Sequence, residues 1–153
     1  MDKFKLILLF FFISAVEVVS SQSIGITKTI DMSFGNIAVI NSGTVVLDPS
    51  DSRVGTGGVT LPAIAGTVTA ASFDVTGGSN RTYAITLPLS CTISSGGNNM
   101  TVDTFTSTPS ATGTLSVTGT QQLKVGATLN IPGAQTPGTY TSGAPFTITV
   151  NYN

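Results

Sequence analysis

The chain has 153 residues and very little charge: six Lys or Arg, seven Asp or Glu and no histidine, with charged residues at 8% against a usual figure of about 25%. No basic stripe exists, so phosphate neutralisation, and with it nucleic-acid binding, is excluded as an expectation. The missing histidines remove Ser-His-Asp and Cys-His constellations, histidine metal sites and the usual neutral-pH general base.

Residues 2–5 form a short basic stretch, Leu6 to Ile13 is unbroken apolar sequence, and Val16 to Ser21 is mostly small. That order predicts a secretory signal-peptide helix over 1–21, cut before Gln22 or, alternatively, before Ser21. The apolar run is shorter than the roughly 20 residues needed to span a bilayer. Export to the cell surface or medium is expected, with no membrane span after cleavage. Removing 21 residues from 153 leaves 132, one domain over 22–153, long enough to bury roughly two-thirds of its unfolded surface. This part keeps only Lys28, Arg53, Arg81 and Lys124 against Asp31, Asp48, Asp51, Asp74 and Asp103.

Ile24 to Phe34 alternates with apolar residues at 24, 26, 30, 32 and 34, which predicts a half-buried strand. After Gly35-Asn36, a second short strand is expected over Ile37–Ile40, ended by Asn41-Ser42-Gly43. Thr44–Leu47 is a strand closed by a tight turn at Asp48-Pro49-Ser50-Asp51. Val54–Leu61, with Gly55, Gly57 and Gly58, reads as a bulged or edge strand.

Gly66–Thr76 alternates around Phe73 and Val75, and Gly77–Asn80 turns the chain into Thr82–Leu87, which stops at Pro88. A strand around Cys91–Ser94 is followed by a turn over Gly96–Asn99 and a strand over Met100–Phe105. Ser107–Ser110 is a loop, and strands follow at Thr114–Val117 and Gln122–Ile131. Pro132–Gly138 is another loop, and the last strand, Phe146–Tyr152, is apolar at every even position. Strands at roughly ten-residue spacing with turns between them predict an all-β antiparallel β-sandwich.

Chemistry-bearing residues are few. Asp48 and Asp51 flank a turn and serve either that turn or a loose calcium site. Asp74 and Asp103 lie on different strands and could form a carboxylate pair only through folding. The lone Cys91 reads either as a small buried strand residue or as a thiol pairing between chains. Asn80-Arg81-Thr82 and Asn99-Met100-Thr101 match the glycosylation sequon at accessible turn-to-strand junctions. Glycine pairs at 57–58, 77–78 and 96–97 open no helix, so no phosphate loop is present. No catalytic, cofactor-binding or metal-ligating set emerges, and no enzyme is expected.

Met32-Ser33-Phe34-Gly35-Asn36-Ile37, Met100-Thr101-Val102-Asp103-Thr104-Phe105 and Gly138-Thr139-Tyr140-Thr141 with Phe146–Tyr152 resemble a family of small secreted bacterial proteins, domain of unknown function 4402. The same head and tail are similar to spore coat protein U and archaic chaperone–usher pilins. That resemblance implies an immunoglobulin-like sandwich and polymerisation by donor-strand exchange. Its implied partners are copies of the chain, other surface subunits and a periplasmic chaperone. Those pilins commonly carry a disulfide and an N-terminal donor extension; here Cys91 stands alone and about a dozen residues separate Gln22 from Phe34.

The expected function is therefore a structural or adhesive surface subunit, pilin-like, built by strand addition. The expected contacts are Ile24, Ile26 and Ile30 of the first segment and Phe146, Ile148, Val150 and Tyr152 of the last. The alternative is a soluble extracellular module binding glycan or protein through loops 48–58 or 132–145.

Overall fold

The structure, a computed structural model, describes residues 22–153. The expected leader at 1–21 lies outside the described residues. Thirteen strands make up the described chain: β1 (Gly25–Ile30), β2 (Ser33–Phe34), β3 (Ala38–Leu47), β4 (Arg53–Thr60), β5 (Val68–Thr69), β6 (Ala71–Thr76), β7 (Thr82–Thr86), β8 (Ser90–Ser95), β9 (Asn98–Thr108), β10 (Thr112–Thr114), β11 (Thr120–Ile131), β12 (Thr141–Ser142) and β13 (Thr149–Tyr152). Every pairing is antiparallel, as expected for an all-β sandwich with polar outer faces. No helix among the described residues is long and apolar enough to cross a membrane.

The twelve residues of β11 organise the large sheet. On one flank β6 pairs with its first half, Thr120–Val125, and β3 with its second half, Ala127–Ile131. On the other flank runs β9. β1 adds outside β6, β4 outside β3, and β8 then β12 outside β9. The small sheet is β10–β7–β13, and β2 pairs with β5.

The alternating side chains of β11 drive this arrangement. Leu123, Val125, Ala127, Leu129 and Ile131 are all buried, as one face of a period-two strand should be. Two core clusters lie along that face. The first joins Ala71, Phe73, Val75, Leu123 and Val125 of the large sheet to Tyr83, Leu115, Ile148 and Val150 from the small-sheet side. The second holds Val45, Met100, Val102, Ala127, Leu129 and Ile131, covered by Phe34, Ile37, Val39, Val59 and Leu61.

Several expected boundaries shift, for reasons the backbone shows. The expected strand over 24–34 breaks after Ile30, and its partner breaks at Ala70 between β5 and β6. Both halves still form one antiparallel ladder, with a register shift between Lys28 and Ile30. At the break, the Ala70 amide donates instead to Asp51 Oδ1 at 2.7 Å. The strands expected at 37–40 and 44–47 are one strand, β3. Asn41-Ser42-Gly43 does not end it, because the extra residues bulge opposite Gly57-Gly58. Gly57 adopts φ +72, and a Cβ at Gly58 would sit 2.5 Å from the Asn41 amide nitrogen. Glycine on the partner strand is what admits the bulge.

The turn at Asp48–Asp51 forms as expected. The Asp51 amide donates to Asp48 O at 3.0 Å, and the Ser50 amide to Asp48 Oδ1 at 2.8 Å. Asp51 is left-handed at φ 68, a conformation Asp and Asn tolerate. The β8–β9 turn is tighter than expected: Gly96-Gly97, both with positive φ, connect Ser95 directly to Asn98, the two-residue hairpin geometry that favours glycine. β9 runs through Ser107 and Thr108, which were expected in a loop, since both pair with β11. β10 stops at Thr114, while the expected strand ran to Val117. The ladder of the last strand covers only Thr149–Tyr152.

Candidate functional site

The first and last strands are sheet edges. Among the described residues β1 is paired only with β6, and β13 only with β7, and the two strands touch along one side of the sandwich. Six of the seven residues expected as strand-addition contacts meet at the first core cluster. Ile148 and Val150 are buried within it, and Ile24, Ile26, Phe146 and Tyr152 pack against it. Phe146 packs on Phe105 and edge-on to Phe73, at centroid distances of 5.2 and 6.3 Å. The Tyr152 hydroxyl accepts the Gly78 amide at 2.6 Å, which ties the tail to the turn before β7. Ile30 stands apart: it is 45% exposed, beyond the register shift in β1.

A second feature was not legible in the sequence. β7 pairs with β13 through Thr86↔Thr149, and β8 pairs with β12 through Ile93↔Ser142. Both pairings keep one register, so the same two segments pair at one end in the small sheet and at the other in the large sheet. Between them, residues 87–92 and 143–148 part. The opening has a volume of about 770 Å³, within the range of ligand-sized clefts. Leu87, Pro88, Cys91, Pro145 and Phe146 are among its walls, and no lining residue is charged. The sequence signal that could have pointed here is the pair Pro88 and Pro145, which lack the N–H a ladder needs.

Several of the few charges serve structure. The Arg53 guanidinium donates to the carbonyls of Phe34 and, at 2.9 Å, Asn36. Between them Gly35 adopts φ +69, and a Cβ there would lie 2.3 Å from Ala65 O. This explains the Phe-Gly head of the sequence: Arg53 holds a turn that only glycine fits.

Asp51 takes a hydrogen bond from Lys124 Nζ as well as from the Ala70 amide. The Lys124 hydrogen bond first, and then the Ala70 one, hold its carboxyl below the ordinary 3.8. A depressed carboxylate contributes stability above its ordinary value and loses it as pH falls through the folded value. Asp51→Asn keeps an acceptor and tolerates positive φ, so it isolates the charge. We expect it to cost at most about 1 kcal/mol at pH 7, since the pair is exposed. The gap to the parent closes below about pH 3.8; urea titrations at pH 7 and in acid check this.

Asp74 and Asp103 do not meet. They flank β11 on opposite sides, opposite Gln122 and Thr128, which puts them roughly 20 Å apart along the strand. A glycosidase pair needs less than about 10 Å. Among the described residues no group of three or more Cys, Asp or Glu is placed to hold a metal. Cys91 is half-buried on β8, free, and burial raises its thiol pKa. Asn80 is exposed in a left-handed turn, and Asn99 is exposed near the start of β9.

Bare edges, an uncharged cleft and carboxylates that gather into no site define the described chain as a small all-β sandwich module. The chain belongs to the family described as Domain of unknown function (DUF4402), whose model matches residues 24–152. No curated protein matches it, and no solved structure does.

Proposed function

We propose that the chain is a non-enzymatic, exported surface subunit, structural or adhesive, that assembles by strand addition. The observation that carries this reading is the flank where β1 and β13 lie side by side, each, among the described residues, hydrogen-bonded on one side only. A bare strand edge is a template for another strand, and a nearly uncharged surface repels its own copies weakly. Copies of the chain and other surface subunits are the partners this predicts, with a chaperone covering the edges before assembly. The apolar leader supports export to the cell surface. Electron microscopy of producing cells with antibody against the chain tests this, together with N-terminal sequencing of the surface fraction. The reading expects labelled assemblies whose subunits begin at Gln22 or Ser21. Label confined to the cell interior, on chains that still begin at Met1, would overturn it.

A second reading, a soluble glycan-binding module, draws on one observation. A shallow depression of about 450 Å³ on the large sheet is lined by Ser42, Thr44, Thr101 and Asn130 with Pro132 at its rim. Neutral hydroxyl and carboxamide groups suit a neutral polyhydroxylated ligand. Glycan-array binding lost in Asn130→Ala would favour it over the first reading.

A further inference from the structure

We propose that the opening in the ladder, residues 87–92 facing 143–148, receives one extended, uncharged segment of a partner polypeptide as an inserted strand. The proposal rests on the strand-addition reading and names a receiving site for it away from the β1–β13 flank.

The shared register makes this a ladder interrupted in its middle. Thr86↔Thr149 and Ile93↔Ser142 belong to one alignment, so six residues on each side have lost their natural partners. Among the described residues, no backbone–backbone hydrogen bond joins the two walls there. Along β8, Ser90, Cys91 and Thr92 pair with β9 on one side and with nothing on the other. Backbone donors and acceptors in such a place need either water or a strand.

The side chains and prolines of both walls disfavour direct pairing between them. Pro88 and Pro145 cannot donate to a ladder. Phe146 is drawn into the core by Phe73 and Phe105. Its partner in the shared register, Leu89, is 93% exposed. The middle of the ladder therefore splays, with exposed Leu89 lying in sequence between two lining residues, Pro88 and Ser90.

These features specify the occupant. Two bare walls require a segment with both of its own edges free. The edge strands β1 and β4 of a folded copy do not qualify, since each keeps one edge occupied. An inserted strand needs about 4.8 Å to each wall, and the opening is closed at both ends by Thr86↔Thr149 and Ile93↔Ser142, so the walls can flank it only at the middle of the opening. Because the lining is uncharged, a buried charge on the occupant would find no partner. The fitting ligand is a free, neutral stretch whose central three or four residues lie between the walls as a strand, with apolar side chains toward Leu87 and Phe146 and polar ones toward solvent.

Cys91, the chain's one thiol, lines the opening and reports its occupancy. The probe is a set of capped seven-residue peptides alternating Thr or Ser with Val, Ile or Phe, added to the mature chain. The proposal expects at least one to slow Cys91 alkylation tenfold or more and to protect amides of 89–92 and 146–148 from exchange. The same peptide with alternate backbone nitrogens methylated, or with a central Lys, leaves both unchanged. Leu89→Asp, at an exposed position, weakens the effect without moving the unfolding midpoint. Failure of the whole set to slow alkylation, or equal protection by the methylated peptide, overturns the proposal. If the chain assembles while its Cys91 alkylates at the monomer rate, strand addition stands through the β1–β13 flank and this site falls.

Discussion

Replacing Tyr83 with alanine is expected to lower stability by about 4 kcal/mol, the range for deleting a buried aromatic side chain. Tyr83 is fully buried at the centre of the small sheet, opposite Gly113 on one side and Tyr152 on the other. Its hydroxyl donates to Gln121 Oε1 at 2.8 Å, and that oxygen also accepts the Thr114 amide at 2.9 Å. Gln121 thereby bridges β10 and β7 to the start of β11. A Cβ at Gly113 would lie 2.3 Å from the Tyr83 ring, so the ring fills all the space its neighbour leaves. Tyr83→Phe keeps the ring and removes one hydrogen bond, with an expected loss of about 1 kcal/mol; Gln121 still holds Thr114. Urea midpoints of the two variants separate packing from hydrogen bonding. A loss below about 1 kcal/mol for Tyr83→Ala would show that the small sheet is not a packed layer over β6 and β11.

Gly126→Ala is expected to cost about 3 kcal/mol, at the upper end for overpacking. Gly126 sits where β6 ends and β3 begins along β11, between the pairs Val125↔Ala71 and Ala127↔Leu47. A Cβ there would lie 2.1 Å from Leu47 O and 2.9 Å from both Asp48 C and Pro49 N. All three are main-chain atoms, so no rotamer change relieves the clash. Relief requires the β3–β4 hairpin to move off β11, which exposes Val45 and Leu47. Hydrogen exchange should therefore quicken in β3 and β4 before the rest of the sheet. Gly143→Ala is the control. A Cβ there meets nothing within 4 Å, and the expected change is within about 0.5 kcal/mol.

Much of this fold was legible from period-two patterning. The buried face of β11 follows directly from its alternation, and the Pro-Asp turn closes the β3–β4 hairpin where local chemistry predicts it. What failed to show was long-range. Asn41-Ser42-Gly43 carries turn residues, yet β3 continues through them because Gly57 and Gly58 on the partner strand make room for a bulge. Local propensity sees one strand at a time, and the bulge belongs to a pair.

The same distinction governs the candidate sites. Ile148, Val150 and Tyr152 were legible as a face because their alternation is local. Ile30 fits the same alternation but faces solvent, since a register shift in the β1–β6 pairing intervenes. The ladder opening depends on the register between 82–95 and 141–152, segments about fifty residues apart in sequence. No periodicity within either segment encodes it. Arg53 was similarly opaque: its role depends on Phe34 and Asn36, which reach it only through the fold.

The central claim is assembly through strand addition, and sedimentation velocity of the chain from Gln22 over a wide concentration range tests it most directly. The account predicts growth from a single 132-residue species to larger assemblies, with β1 and β13 amides gaining exchange protection as they form. A single monomeric species at every concentration, with those amides unchanged, would contradict it.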